Sequence, residues 1–283
     1  MLRFFVKVAI VFFIGLLIYW WVHPEERPDV DLAGIPSFSY EDIKNSLVNA
    51  VANEVGSVVS ETIENQLNPD DQAVSEEESV IEEPLIVGED VLPIAVQLEV
   101  PFTSQAPTGD WGLPYQEACE ETAAYMVAMY YAGIEDGEIE SEIANNALLS
   151  AIQHETEFLG FYFDTTAEET ARWMAEYFDL NVVVRDNPTV DEIREEIAAG
   201  HPVIIPTAGR KLGNPFFSGE GPLYHFLVVK GYTEDSFITN DAGTKYGQNY
   251  VYPFEVVMEA MGDWNGGDPA NGAKRIIIAT PKE

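Results

Sequence analysis

Cysteine is almost missing from this chain: its 283 residues contain one, Cys119. A lone cysteine excludes an intramolecular disulfide, and with it the small secreted domains that depend on several disulfides for their stability. The thiol must therefore be either a small apolar side chain of the core or a reactive group. The residues that the fold brings to Cys119 decide between these two roles.

Basic residues are also scarce, with 14 Lys and Arg against 49 Asp and Glu and a net charge of −35. Proteins that bind nucleic acid neutralise phosphates with Lys and Arg, so this composition excludes a nucleic-acid partner. The acidic excess indicates a strongly hydrated, solubilising surface; a cationic partner such as Ca²⁺, or a salty or acidic habitat, is the alternative. With 46% hydrophobic and 12% aromatic residues, the chain can still bury a substantial core.

One long apolar run lies at the N-terminus, where residues 4–22 read FFVKVAIVFFIGLLIYWWV. About 20 apolar residues span a bilayer, and interfacial Trp and Tyr anchor the ends. Basic residues precede the run and acidic residues follow it, which puts the N-terminus in the cytoplasm and the remainder outside. No small-residue cleavage site follows, so we predict an uncleaved single-pass signal anchor at residues 1–23 rather than a cleaved signal peptide.

Residues 24–93 are predicted to be an acidic spacer. Within it, residues 39–67 repeat apolar side chains in steps of mostly four, which places one apolar stripe on a helix. This stripe must pack on the catalytic domain, on a copy of itself or on the membrane surface, so self-association is one expectation. Residues 68–83 are acidic and poor in aromatics, and we expect them to be disordered.

Residues 94–283 are predicted to form an α+β domain. A helix begins near Cys119 and ends at Gly133, and further helices are expected at residues 166–177 and 190–199. The strands are expected in the apolar runs at residues 181–185, PVIIPTA, HFLVVKGY, SFITNDAG, YVYPF and residues 275–279. Helices first and antiparallel strands afterwards are typical of the α+β class.

Cys119 is placed by this pattern in the first turn of a helix. Free amide groups and the helix dipole stabilise a thiolate there, but the adjacent Glu120 and Glu121 oppose a further negative charge. A cation is therefore needed nearby, and His225, at the start of the strand HFLVVKGY, is the candidate. Asp241 ends the next strand, so the two side chains come together if these strands are antiparallel neighbours. A thiol, an imidazole and an orienting carboxylate are the groups that covalent acyl transfer needs.

The segments VPFTSQ, CEETAAYMV, YHFLVVKGY and NDAGT resemble the bacteriocin-processing (double-glycine) type of papain-like cysteine peptidases, and in particular its broad bacterial branch of surface proteins. The resemblance covers roughly residues 96–280 and implies a papain-like fold. It also implies that Cys119 is the nucleophile, His225 the general base, Asp241 the orienting acid and Gln105 a donor to the oxyanion.

The chain departs from this family pattern where many members have Cys-Gly-Pro, because here Cys119 is followed by two glutamates. Two alternatives also stay open within the predicted site. Asn240 competes with Asp241 as the partner of the histidine ring, and Gln116 competes with Gln105 as the oxyanion donor.

The other candidate residues are expected to be structural. His201 precedes a strand, and His154 is expected to be exposed. The loop at residues 262–272 contains Asp263 and Asp268 but lacks the regular ligand spacing of an EF-hand, so we expect a surface loop and no calcium site. The proposed chemistry needs no metal or cofactor.

The sequence therefore predicts a membrane-anchored, extracytoplasmic cysteine endopeptidase that hydrolyses peptide bonds in a peptide or protein substrate through a thioester. Two alternatives differ in class or reaction. One is a surface binding module that keeps the fold without activity. The other is a cell-wall amidase or transglutaminase, although the Asp-Cys-Ser-Gly sequence typical of wall endopeptidases is missing.

Overall fold

The computed structural model of the protein describes residues 92–282. The predicted anchor at residues 1–23, the predicted helix at residues 39–67 and nearly all of the predicted spacer at residues 24–93 lie outside this part. Among the described residues, no helix combines the length and the apolar character that crossing a bilayer requires.

Local sequence signals mark the ends of several helices of the described part. The five α-helices are α1 (Cys119–Tyr131), α2 (Ser141–Leu159), α3 (Ala167–Tyr177), α4 (Val190–Ala198) and α5 (Phe254–Ala260). Helices α3 and α4 each start with a capping box, in which a threonine and a glutamate three residues later satisfy each other's backbone N–H groups. After α1, Gly133 takes a φ of 80°, a left-handed conformation that glycine adopts without strain.

Seven strands of the described part form one antiparallel sheet. They are β1 (Val96–Gln97), β2 (Leu180–Asp186), β3 (Val203–Thr207), β4 (His225–Tyr232), β5 (Ser236–Asp241), β6 (Tyr250–Pro253) and β7 (Arg275–Pro281). Their order across the sheet is β2-β7-β3-β4-β5-β6, and β1 pairs with the far end of β4. Strand β4 therefore lies in the middle of the sheet.

The sheet is covered on both faces, because successive residues of a strand point to opposite sides. Phe226 and Val228 of β4 pack in one core with α1, α2 and α3, whereas Leu227 and Val229 pack in a second core with α4 and α5. Helix α1 is enclosed, and every residue at positions 119–129 is buried. The beginning of α1 is thus held rigidly against the middle of the sheet.

The α+β prediction is confirmed, including the antiparallel sheet. Helix α5 was not predicted, because the run YVYPF was assigned wholly to a strand. Pro253 ends β6, and the helix starts at the next residue. A helix of seven residues is too short to show a clear apolar period.

Candidate active site

His225 and Asp241 meet at one end of the sheet. His225 is the first residue of β4 and Asp241 is the last residue of β5. The register sets Asp241 opposite Leu227, so the histidine lies diagonally across the strand pair. The Nε2 atom of His225 is 2.8 Å from Oδ1 of Asp241, and both side chains are almost fully buried. The structure thus brings together the two residues that the strand pattern paired.

The carboxylate of Asp241 is fixed by four hydrogen bonds. Besides His225, the backbone N–H of Gly243 donates to Oδ1, at 3.0 Å. The amide of Asn214 and the hydroxyl of Tyr252 donate to Oδ2, at 2.9 and 2.7 Å. Burial alone would raise the pKa of Asp241, but the His225 ring and these donors outweigh it and lower that pKa. The carboxylate is therefore ionised and oriented.

Two glycines make room for the histidine. A Cβ atom added at Gly243 would lie 3.0 Å from Cε1 of His225, and one added at Gly209 would lie 2.9 Å from its Cβ. The hydroxyl of Thr207 donates to the His225 carbonyl, at 2.9 Å, and the ring of Phe217 meets the imidazole edge-on, at 5.5 Å between centroids. These contacts leave the imidazole little freedom to turn.

Asn240, the alternative partner of the histidine, faces away from the ring. Its amide donates to the carbonyls of Val100 and Pro101, at 3.0 and 3.1 Å, and its oxygen accepts from the N–H of Asn249. Adjacent residues of a strand point to opposite faces, so only one of positions 240 and 241 can reach His225. In the structure that residue is Asp241.

Cys119 is the first residue of α1, and its thiol lies near the backbone of Phe226, the residue that follows His225. Ala118, the residue before the helix, provides no side-chain cap, so the first amides of α1 are not occupied in that way. The thiol is 6% exposed and donates to Oε2 of Glu120, at 3.0 Å. Burial raises the pKa of Cys119 well above its usual range and the neighbouring carboxyl group of Glu120 adds to this, whereas the backbone N–H of Phe226 lowers it.

The hydrogen-bond acceptor of the thiol is therefore Glu120 and not the His225 ring. The sequence led us to expect a Cys119 thiolate paired with a protonated His225, and the structure differs from that expectation. The physical reason is local, since the carboxyl group of the next residue in the helix lies within hydrogen-bond distance of the sulfur, at 3.0 Å.

Three buried carboxyl groups surround the start of α1. Glu120, Glu121 and Glu155 of α2 are each at most 1% exposed. Burial raises the pKa of all three well above the usual range, and each is raised further by a neighbouring glutamate. None of the ion pairs within residues 92–282 includes any of them. Carboxyl groups without a cation in such surroundings are held in their neutral form.

Gln105, the predicted oxyanion donor, is bonded to the turn before Cys119. Its Nε2 donates to the carbonyls of Tyr115 and Gln116, at 2.9 and 3.1 Å. Both amide hydrogens are thereby used, and Gln105 fixes the path of the backbone into α1. The rival candidate, Gln116, is exposed, and its Nε2 makes a hydrogen bond to Glu117, at 2.7 Å. Of the two, Gln116 is the one with a donor left.

A cleft of about 550 Å³ adjoins these residues. Gln105 and Gln116 line one wall, and Phe217 and Gly243, which touch His225, line the other. Four aromatic side chains line the cleft: Trp111, Phe216, Phe217 and Tyr246. Among the described residues that line it, Lys245 alone has a charged side chain. The cleft is therefore rich in aromatic side chains, and none of the described residues that line it is acidic.

The remaining candidates have structural contacts. Nδ1 of His201 lies 2.8 Å from Glu196. His154 is partly buried instead of exposed, and its Nε2 lies 3.0 Å from Glu176. Asp263 is also buried, contrary to the surface loop that we expected, because it accepts from the N–H of Ala167 and the hydroxyl of Tyr224. Within residues 92–282, no group of His, Cys, Asp and Glu has a metal-binding arrangement.

Sequence reasoning missed several residues of this site. Asn214 and Tyr252 hold Asp241 from 27 and 11 residues away, and Glu155 meets Glu121 from another helix. Nothing local marks these positions, since each matters only through a long-range contact. Gly243 had a local signal, as a glycine two residues after a predicted site residue.

Comparison with known proteins relates this chain to one family. The sequence model of the peptidase C39-like family matches residues 97–266. A crystal structure of a protein from Bacillus anthracis, provisionally described as a C39-like peptidase, has a TM-score of 0.45 and 17% sequence identity over 67% of this chain and 98% of that one. Comparison with curated proteins gave no significant match.

Proposed function

The chain belongs to the peptidase C39-like family, and we propose that it is a cysteine peptidase whose nucleophile is Cys119. The observation that carries this proposal is the buried pair of His225 and Asp241, 2.8 Å apart. The N–H of Phe226, the residue after the histidine, influences the Cys119 sulfur. The oriented imidazole beside that residue, and the aromatic cleft whose lining residues Phe217 and Gly243 adjoin the ring, support this proposal.

In the proposed reaction, His225 uses the ring nitrogen that Asp241 leaves available. Asp241 faces Nε2, so Nδ1 is the atom that exchanges a proton with the thiol. The S–H bond of Cys119 breaks, its proton moves to Nδ1, and the thiolate attacks the peptide carbonyl. The imidazolium, stabilised by ionised Asp241, then protonates the leaving amine. The freed ring next activates water, which hydrolyses the thioester and regenerates the thiol.

The developing oxyanion needs hydrogen-bond donors near Cys119. The backbone N–H of Cys119 lies at the uncapped start of α1, where the helix dipole favours a negative charge. We assign the second donor to the side chain of Gln116, which is exposed and lines the cleft. Gln105 supports this arrangement by bonding the carbonyls of the turn that carries Gln116.

The substrate of this proposed site is an extended peptide with a large apolar side chain. The aromatic rings of the cleft can cover such a side chain, and burying it stabilises the complex by about 1.5–3 kcal/mol. On sequence grounds, residues 1–23 anchor the protein in a membrane with this site outside the cytoplasm. Extraction of membranes with alkali should leave the full-length chain in the pellet, and its release would contradict the anchor.

Alkylation tests the nucleophile. The full-length protein is treated with iodoacetamide at neutral pH, and the labelled residue is mapped by mass spectrometry. Labelling of Cys119 that falls at least tenfold in His225→Ala supports the assignment. An unreactive Cys119 in the folded wild-type protein contradicts it.

One observation favours a second candidate, a binding module without activity. The thiol is bonded to Glu120, and burial and that carboxyl group raise its pKa, which both oppose a thiolate. In that case Cys119→Ala would leave peptide binding unchanged and no peptide would be cleaved by either protein. Cleavage by the wild type alone would exclude the binding module.

A further inference from the structure

The contact between Cys119 and Glu120 has no place in the reaction described above. The thiol donates to Oε2 of Glu120, at 3.0 Å, and both side chains are buried. A carboxylate in this position would oppose the nucleophile, because it would place a second negative charge beside the thiolate. A neutral carboxylic acid would do the opposite, since its O–H can donate a hydrogen bond to the sulfur.

The surroundings of Glu120 favour the neutral form. The titratable groups that act electrostatically on Glu120 are Cys119, Glu121, Asp164 in the loop before α3, Tyr224 immediately before β4 and Glu155 of α2. All five are acids, and the ion pairs of residues 92–282 bring no Lys, Arg or His to Glu120. An ionised carboxylate enclosed by acidic groups and apolar side chains would lose its hydration without gaining a counter-ion.

Glu121 and Glu155 also favour the neutral form of Glu120. All four of their carboxyl oxygens are buried without a hydrogen-bond partner among the described residues, and burial and the nearby Glu155 raise the pKa of Glu121. A buried carboxylate without a hydrogen-bond donor or a counter-ion is costly, so these two glutamates are held in their neutral form. Their neutral form lowers the negative charge that Glu120 meets, so the three glutamates can keep the start of α1 close to neutral.

We propose that Glu120 stays protonated through the reaction and changes from hydrogen-bond acceptor to donor when the Cys119 thiolate forms. This role rests on the proposed peptidase reaction. In the resting protein the S–H group donates to Glu120. When that proton moves to Nδ1 of His225, the S–H bond breaks, and the O–H of Glu120 turns to the sulfur without breaking. Glu120 thus supplies the thiolate with a donor that the glycine of the common Cys-Gly-Pro sequence cannot provide from its side chain.

Two substitutions at Glu120 separate this role from mere space filling. Glu120→Gln keeps both a donor and an acceptor, whereas Glu120→Met keeps the size and removes the donor. We expect iodoacetamide to alkylate Cys119 of Glu120→Gln within about threefold of the wild-type rate. We expect at least a tenfold loss in Glu120→Met, with the midpoint of its pH–rate profile raised by about one pH unit, since a tenfold change equals one pKa unit.

The proposal is overturned if Glu120→Met reacts as fast as the wild type, or faster. Glu120 would then either have no influence on the thiolate or oppose it with a negative charge. Infrared difference spectra before and after alkylation provide a readout that does not depend on the methionine variant. A protonated carboxyl band that shifts on alkylation and is missing from Glu120→Gln supports the proposal. A Glu120 that shows only carboxylate bands overturns it, even if Glu120→Met does not fold.

The wild type and His225→Ala distinguish a failure of the proposed peptidase site from a failure of the proposed role of Glu120. If wild-type Cys119 is unreactive, or if His225→Ala reacts as fast, the proposed peptidase site is wrong. If both behave as expected while Glu120→Met matches the wild type, the proposed peptidase site stands and only the proposed role of Glu120 is wrong.

Discussion

The side-chain amide of Asn214 donates to Oδ2 of Asp241, at 2.9 Å, which is the oxygen of that carboxylate that does not face His225. The same Asn214 nitrogen also lies 2.8 Å from the hydroxyl of Tyr252, which donates to the same oxygen. The orientation of His225 therefore depends on Asn214 and Tyr252, which act on it through Asp241. This chain of contacts fixes Asp241 so that one oxygen is always directed at the imidazole.

Removing these donors should shift the pH dependence of activity. Tyr252→Phe leaves Oδ2 of Asp241 with one donor fewer, so the pKa of that carboxyl rises and the acid limb of the pH–activity profile moves to higher pH. We also expect a loss of about 1–3 kcal/mol in unfolding free energy, because a buried acceptor loses a partner. Tyr250→Phe, on the same strand, is the matched control and should leave the acid limb in place.

A side chain at position 243 should displace the histidine. The added Cβ of Gly243→Ala would lie 3.0 Å from the His225 ring and 2.8 Å from Phe217. We expect kcat for peptide hydrolysis to fall by at least tenfold while the protein still folds, as judged by circular dichroism. Gly112→Ala is the control, because its Cβ meets only the exposed carboxylate of Asp110, at 3.2 Å. Equal activity in both variants would show that the ring tolerates movement.

The buried glutamates should make the protein less stable as pH rises. Their pKa values are raised in the folded state, so the folded protein binds more protons than the unfolded chain above the usual glutamate range. Unfolding free energy then falls with pH until the folded-state pKa is passed. Glu121→Gln should remove part of this slope and be more stable than the wild type at pH 9 by at least about 1 kcal/mol.

Denaturant unfolding of both proteins at pH 5 and pH 9 measures this difference. Glu142→Gln is the control, because Glu142 is exposed at the start of α2. A Glu121→Gln protein with the same slope as the wild type would mean that Glu121 is ionised in the folded state, which contradicts the neutral cluster.

Aromatic residues of the cleft should determine which peptides bind. Trp111→Ala and Tyr246→Ala each remove apolar surface from the cleft, so KM for peptides with a large apolar side chain should rise about threefold to tenfold. The same variants should change kcat little, since neither ring touches His225. Val183→Ala, an exposed position on β2 outside the cleft, should match the wild type. An unchanged preference in a peptide library would exclude the cleft as the binding surface.

Local signals in the sequence predicted most of the helices and strands, and they predicted the pairing of His225 with Asp241. Thr166 and Thr189 indicated the starts of their helices, because a capping box involves only residues within one helical turn. His225 and Asp241 could be paired because one begins a strand and the other ends the next strand, and consecutive strands are commonly neighbours. Short elements such as α5 were missed, since seven residues carry too little periodicity.

The buried polar contacts could not be predicted from the sequence. The hydrogen bonds of Asn214 and Tyr252 to Asp241, and the burial of Asp263, join residues that are distant in the chain. Glu120 and Glu121 look like solvent-exposed residues in a first helical turn, where acidic side chains are favoured. Their burial follows from α1 being enclosed on all sides, which depends on the packing of three helices and a sheet.

The most direct test of the account is the capture of a covalent intermediate on Cys119. The full-length wild-type protein and Cys119→Ala are mixed with a peptide library, quenched in acid and analysed by mass spectrometry for cleaved peptides and acylated residues. We predict a thioester on Cys119, and a loss of cleavage of at least a thousandfold in Cys119→Ala. Cleavage at the wild-type rate by Cys119→Ala would contradict the central claim.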